Sequence, residues 1–482
     1  MIPIARYPVT MLRRLWRRPL FLVTIAFISG ISTLFWLKDE STHQDKRIHQ
    51  LKIQESVILS NPNTDVLKGD NSIHTITHMK KIPKVYIYDL PPKFNMDIKN
   101  CISPRISDHI SCFNFSNNGF GDFLYEKGDM RVHNTNQFSL EVVMHHQLAN
   151  SRYRTYDPKE ADVFYIPSYI GVMFFCKRLS ANVSSLTTEL FEMLDTWPYF
   201  KQGKPHFAAL AKIEREQSST RYPYLKNPHC QNVTFLAIEK EAMISWRSQI
   251  GLQKQRIIVV PYPSYVHRNT LYTSSQAINS PGLDERKVFL FLASSTRRSN
   301  FFRAILIDQF QTKITGTSKA KYLENATTLP EQLMLVTTEC SITHLNITVE
   351  WMENSVFCLQ PQGDSPTRKS FYDSIQSGCI PVIFKFSHQD VVYPFQSVLN
   401  YTDFAVSVES HHIQNKRENI LDILKKIPKS EIRRLQKNLV LVARQLQYSV
   451  PDMVPIANKK KQHFVDAVDM IMYEISKIYN LK

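Results

Sequence analysis

The chain has 482 residues, 43% of them hydrophobic, which is too long for a single packed core and ample for two. Its formal net charge of +16 calls for an anionic counterpart: nucleic acid, an anionic membrane face or anionic ligands. No zinc-finger, homeodomain or RNA-binding signature occurs in it, which sets nucleic acid aside.

Part of the basic excess sits at the N-terminus, where Arg13, Arg14, Arg17 and Arg18 precede an uncharged apolar run at 20–37. Trp16 and Trp36 flank that run as interfacial anchors, and the run just reaches spanning length. The arginines ahead of it keep residues 1–19 on the cytosolic side. A cleaved signal peptide is the competing reading, but no small-residue cleavage site follows the run. The expectation is a single-pass type II membrane protein whose bulk is lumenal. Residues 38–82 are polar and aperiodic, as expected of a lumenal stem. Sequons at Asn114, Asn182, Asn232, Asn325, Asn346 and Asn400 agree with the secretory pathway. Seven cysteines are few for a disulfide scaffold and odd in number. Cys101 and Cys112 flank a short loop and are the expected pair, whereas Cys358 and Cys379 lie on apolar runs and read as buried packing residues.

Order begins with a strand at 85–88, closed by the Asp89-Leu90-Pro91-Pro92 turn. A helix follows at 138–150, a strand at 161–166, and a helix at 187–194. Further strands are expected at 207–210, 233–238 and 257–260. Helices alternating with short apolar strands indicate an open α/β sheet. The Ser-, Thr- and Asn-rich segment 269–284 reads as a boundary between two such domains, at 83–283 and 284–482. The second domain opens with a strand at 287–292 and a helix at 301–310. Short strands or turns at 391–398 and 404–408 and helices at 418–426, 430–448 and 464–479 complete it.

The most informative stretch is 354–384. An apolar strand at 356–359 leads into a polar turn containing Pro361, Gly363, Asp364, Ser365 and Pro366. A helix at 367–377 follows, Gly378 stops it, and a second strand fills 380–384. This βαβ unit implies a parallel sheet with the turn at its carboxyl edge. There a helix N-terminus offers unpaired N–H groups and a positive dipole end, which suits phosphate. The bland alternative is a βαβ unit with a polar loop and no ligand.

The same stretch, FCLQPQGDSPTRKSFYDSIQSGCIPVIF, resembles the signature of exostosin-like glycosyltransferases, most closely their plant xyloglucan galactosyltransferase-like branch. Matching pieces occur in the family's order at 85–95, 135–138, 161–169, 204–207 and 259–267. The resemblance implies a GT-B fold, two Rossmann-like domains facing a cleft. It also implies a Golgi enzyme that moves a sugar, galactose by the closest analogy, from a UDP-sugar to a cell-wall polysaccharide such as xyloglucan, with inversion. The runner-up readings are another UDP-sugar (arabinosyl, galacturonosyl), another acceptor (pectin, mannan), or a non-catalytic Golgi scaffold for an active homologue.

Sugar transfer leaves a diphosphate with new negative charge, so the donor site needs cations or N–H groups there. No two aspartates are spaced as Asp-x-Asp, so no metal cofactor is expected and protein cations take that role. Arg297, Arg298, Arg303, Arg368 and Lys369 are the candidates, with solvated surface charge as the other reading; a guanidinium fork grips phosphate oxygens bidentately. Gly363, Ser365 and Thr367 line the phosphate loop, with helix capping as the other reading for the two hydroxyls. The resemblance favours Asp373 as a ribose ligand and Glu239, just after a strand, as the general base. His267 matches a family piece and is the second catalytic candidate, with packing as its alternative. Asn136 and Gln137 are candidate acceptor-side hydroxyl ligands, with a helix N-terminal role as the alternative. One departure stands out: where the plant branch has a Gly-Arg-Thr-Ala-Trp-Asp-Phe-like run, this chain has Ala211-Lys212-Ile213-Glu214-Arg215-Glu216. Lysine replaces the arginine, Arg215 replaces the tryptophan, and Glu216 stands in the aspartate's place on the acceptor side.

Overall fold

A computed structural model describes residues 82–102, 115–176, 178–179, 182–217, 225, 227–240, 256–268, 285–294, 301–315, 327–328, 333–337, 342–387, 391–450 and 465–481. The expected span at 20–37, nearly all of the 38–82 stem and the 269–284 boundary lie outside these residues. Among the described residues no helix is long and apolar enough to cross a membrane.

Two parallel sheets carry the architecture. The first takes β1 (Val85–Ile87), β4 (Arg154–Thr155), β5 (Val163–Tyr165), β6 (His206–Leu210), β7 (Val233–Ala237) and β8 (Arg256–Val259) in the order β4-β1-β5-β6-β7-β8, parallel throughout. The strands β5, β6 and β7 are buried along their whole length. That explains their unbroken apolar character, since a parallel sheet is covered on both faces. The second sheet takes β10 (Val288–Ser294), β11 (Thr327–Thr328), β12 (Leu333–Thr337), β13 (Ser355–Gln360), β14 (Ile380–Lys385) and β15 (Val406–Glu409), in the order β11-β12-β10-β13-β14-β15. Only the short β11 runs antiparallel, against β12. The expected strands therefore appear within two residues at each end, apart from 391–398, which is a turn region.

A small antiparallel sheet of β2 (Phe123–Lys127), β3 (Met130–His133) and β9 (Val266–Arg268) was not expected from sequence. Its inner residues Met130, Val132 and Val266 pack on Leu345 and Val349 of a helix at Ile342–Glu353. The hairpin strand β2 is largely solvent-facing, so its apolar period is too weak to read.

The helices named here are α1 (Met96–Ile102), α2 (Leu140–Ala149), α3 (Val183–Asp195), α4 (Phe301–Thr315), α5 (Ile342–Glu353), α6 (Lys369–Gln376), α7 (Ile420–Lys425), α8 (Lys429–Ala443) and α9 (Ala467–Ile478). Helix α6 ends where expected: Gly378 takes φ +72°, and its N–H reaches the Ile375 carbonyl at 3.0 Å. The C-terminal helix α9 returns to the first sheet. Its Met470, Ile471 and Ile475 share one core with Phe164, Phe207 and Phe235, and Tyr479 just beyond it bonds Thr234 of β7 at 2.7 Å and the His206 carbonyl at 3.0 Å. A separate apolar cluster, with Leu290, Phe357, Val382 and Leu424, fills one face of the second sheet.

The cysteine expectations need correcting. Cys101 is bonded to Cys176, not Cys112, because the turn after β5 brings the buried Cys176 against α1 with Cα atoms 5.5 Å apart. Cys112 lies outside the described residues. Cys358 and Cys379 are buried as expected, but they also form a disulfide across the neighbouring β13 and β14 chain segments.

Candidate active site

Both large sheets present their carboxyl edges as the source of functional side chains. In the second sheet the chain passes from β10 to β12 on one side, then through α5 to β13 on the other. The crevice at the carboxyl ends of β10 and β13 is the switch point at which open α/β sheets bind ligands. Two guanidinium groups converge there. Arg303, near the start of α4, donates to the Gln362 carbonyl at 3.1 Å. Arg368, at the N-cap of α6, donates to the Ala293 carbonyl at 3.0 Å and the Pro361 carbonyl at 3.4 Å. Burial and then the neighbouring charge of Arg303 push the Arg368 pKa down, with Asp373 opposing. Burial likewise lowers Arg303, with Asp364 opposing. Two like charges held close and poorly solvated form a site that an anion would stabilise. Gly363 is placed by this pair: a Cβ there would lie 3.3 Å from Arg303 Nη2.

Gln360, the last residue of β13, is 6% exposed, and its Oε1 has no hydrogen-bond partner among the described residues. It lies at the same strand end. Farther along this edge, a cavity of about 700 Å³ opens at the ends of β14 and β15, lined by Lys385, Tyr393, Gln396, Tyr401, Ser407 and Glu409 among others. That volume matches a small-molecule site.

Glu239 arrives from the first sheet, two residues beyond β7. Its Oε2 accepts the Thr367 backbone N–H at 2.9 Å and the Thr367 hydroxyl at 2.5 Å. The carboxylate of one sheet edge is thereby held against the polar loop that precedes α6 at the other. The buried Tyr262 hydroxyl lies within hydrogen-bonding reach of Ser365 and Thr367 and feels the charge of Glu239. Arg215 completes the bridge, reaching the Asp364 carbonyl at 3.3 Å. Thr367 thus bonds Glu239, and neither Ser365 nor Thr367 caps α6, whose N-cap carries no side-chain hydrogen bond.

Three of the expected site residues, Asp373, His267 and Asn136, are buried among protein partners. Asp373 is 3% exposed, and its carboxylate accepts from Ser264 Oγ (2.7 Å), the Tyr265 N–H (2.8 Å) and Lys369 Nζ (3.0 Å). It faces the chain beside β9, where these three donors hold it. The α-helical period explains this, because Lys369 and Asp373 lie on one face, turned inward. Lys369 Nζ also sits 2.8 Å from the Tyr265 ring centroid, and burial pushes its pKa down to about 8 against the pull of Asp373. His267 is 1% exposed on β9, wedged edge-on between Phe120 and His133, with Nδ1 3.2 Å from the Tyr448 carbonyl. Burial holds its pKa down to about 3, so the imidazole is neutral at physiological pH. Asn136 is 8% exposed and accepts the Phe138 N–H at 2.8 Å, which orders the entry to α2; Gln137 beside it is exposed. Arg297 and Arg298 lie outside the described residues.

Among the sequons, Asn182, Asn232 and Asn400 are exposed, and Asn346 is half-buried within α5. Asn114 and Asn325 lie outside the described residues. Sequence reasoning missed Tyr262 and the reach of Arg215, because each acts on a residue more than a hundred positions away.

A family model for the exostosin GT47 domain matches residues 79–424. The chain belongs to the exostosin GT47 family. This GT47 match takes in both sheet edges and every residue of the bridge, and it makes the chain a glycosyltransferase. Similar curated proteins are plant enzymes. A probable xyloglucan galactosyltransferase GT15 of Arabidopsis thaliana is 28% identical over 76% of this chain and 77% of its own length. A xyloglucan-specific galacturonosyltransferase 1 of the same plant is 28% identical, covering 82% of this chain and 56% of its own length. The xyloglucan galactosyltransferase MUR3 is 25% identical, covering 76% and 58%. The chain thus spans little more than half the length of the last two.

Proposed function

We propose that this GT47 chain is an inverting, metal-independent glycosyltransferase of GT-B architecture that moves galactose from UDP-galactose to a xyloglucan side chain in the Golgi lumen. The observation that carries the reading is the Arg303–Arg368 pair at the switch point, facing the Glu239–Thr367 bridge. In this reading the two guanidinium groups and the N-terminus of α6 stabilise the diphosphate as it leaves. Glu239 removes the proton from the acceptor hydroxyl that attacks the sugar from the opposite face. Thr367, donating two hydrogen bonds to that carboxylate, keeps it ionised and aimed. The Cys101–Cys176 and Cys358–Cys379 bonds support an oxidising, lumenal compartment, and residues 20–37 supply the membrane anchor.

A galacturonosyl donor is the second reading, since a galacturonosyltransferase relative matches at the same 28% identity as the galactosyltransferase. A panel of UDP-sugars with xyloglucan oligosaccharides decides between them by UDP release. Transfer from UDP-galactose supports the first reading, transfer only from UDP-galacturonate replaces it with the second, and silence from folded protein across the panel argues for the scaffold role.

A further inference from the structure

We propose that the carboxyl edge of the first sheet carries an acceptor subsite formed by Phe174, Lys212 and Glu216, which grips one neutral pyranosyl unit. The proposal rests on the glycosyltransferase reading above and names the part of the acceptor that this edge holds. Lys212 is 7% exposed, and its ammonium lies 4.5 Å from the Phe174 ring centroid, 5.0 Å from Phe138 and 5.3 Å from Phe175. On its remaining side it donates to Glu216 Oε1 at 3.1 Å. A nearly buried ammonium is costly unless compensated, and here three aromatic rings and one carboxylate compensate it.

The flanking groups reach solvent. Phe174 is 38% exposed, one of few large apolar side chains that are, and the Glu216 side chain is 43% exposed. An accessible aromatic ring beside a donor and an acceptor is the chemistry a sugar ring needs. Its C–H face stacks on the aromatic, and its hydroxyls accept from the ammonium and donate to the carboxylate. Because Lys212 and Glu216 offset each other's charge, the subsite favours a neutral sugar over a uronic acid.

The position fits the chemistry. Phe174 follows β5, Lys212 follows β6 and Glu239 follows β7, three adjacent strands about 4.8 Å apart. The Glu214 N–H donates to the Glu239 carbonyl at 3.1 Å, which ties the Lys212–Glu216 segment to the base. A single buried carboxyl group also aligns both halves of the platform. Glu141 of α2 accepts the N–H groups of Gly171 (2.9 Å) and Val172 (3.2 Å) in the turn that presents Phe174, and the N–H of Ala211 (3.4 Å) beside Lys212. Only glycine fits at 171, since a Cβ there would lie 2.1 Å from Glu141 Oε1.

The test uses the full chain in detergent, with UDP, UDP-galactose and mixed xyloglucan oligosaccharides as probes. Phe174→Ala should raise the acceptor KM about tenfold, the size expected for one lost stacking contact, while donor KM and UDP affinity stay unchanged. Phe174→Trp should lower the acceptor KM, which a merely structural ring would not do. In saturation-transfer NMR, the signal from one sugar unit should fall in Phe174→Ala and in Lys212→Met. Unchanged acceptor KM and unchanged NMR signal in folded Phe174→Ala would overturn the subsite alone. Absence of UDP binding to the unsubstituted chain would overturn the enzymatic reading and the subsite with it.

Discussion

Glu239 and Thr367, 128 residues apart in the chain, are joined by two hydrogen bonds to one carboxylate oxygen, at 2.9 Å from the backbone N–H and 2.5 Å from the hydroxyl. The proposed base of the first sheet and the loop preceding α6 in the second are therefore positioned as one unit. Glu239→Gln keeps the size and an acceptor oxygen but removes the base. It should lower kcat by about 10²–10⁴-fold, the usual worth of general base catalysis, with little change in Tm. Thr367→Val, which loses only the hydroxyl, should cost roughly tenfold in kcat, about one hydrogen bond to a charged group. Wild-type kcat in Glu239→Gln would remove Glu239 from the reaction.

His267 is the matching negative case. His267→Phe retains the ring packing against Phe120 and His133 but gives up the contact with the Tyr448 carbonyl. Stability should fall by about 1–3 kcal/mol from the unsatisfied carbonyl, and kcat of the folded fraction should match wild type. Urea unfolding read beside the transfer assay checks both halves, and a hundredfold loss of kcat in folded variant would return His267 to the catalytic candidates.

The Cys358–Cys379 bond closes a segment with a sequence separation of 21, and that segment holds the phosphate loop and α6. Replacing both cysteines by alanine should cost about 3 kcal/mol from the loop-closure term, plus the packing lost at two buried sulfurs. The measurable result is a lower Tm and weaker UDP binding, since the phosphate loop lies within the closed segment.

Glu141 gives a pH signature. Burial raises its pKa from 4.5 to about 8, against the lowering pull of three backbone N–H groups. The folded value is the higher one, so between pH 4.5 and 8 the folded chain keeps a proton that the unfolded chain has lost. The resulting stability is complete below pH 4.5 and is lost as pH rises through 8. Across pH 5–8 the Tm of Glu141→Gln, measured against wild type, should therefore show a flatter slope. Parallel curves for the two proteins would mean that Glu141 titrates normally.

The fold was legible wherever burial on both strand faces wrote an apolar run into the sequence, as at 233–238 and 380–384. It was not legible in β2, where most side chains face solvent, nor in the Cys101–Cys176 pairing, which depends on how the turn after β5 meets α1. At the site, Arg368 and Glu239 could be picked out by their place after a strand or before a helix. The inward turn of Asp373 was not legible, because the helix N-terminus tells where a residue lies along the axis, not which way its face turns. Lys369, four residues earlier on the same face, holds that carboxylate inward. Arg215 gained its partner, the Asp364 carbonyl, only through tertiary structure.

The central claim is that the Arg303–Arg368 pair receives the donor diphosphate. The direct measurement is calorimetric titration of UDP into the full chain, with EDTA present, for wild type, Arg303→Ala and Arg368→Ala. Wild type should bind, and each variant should lose roughly 10- to 100-fold in affinity, the worth of a charge-assisted contact to phosphate. Arg368→Lys should fall between, because it keeps the charge and loses the fork. No UDP binding by folded wild type at millimolar concentration, or equal affinity in all four proteins, would contradict the account.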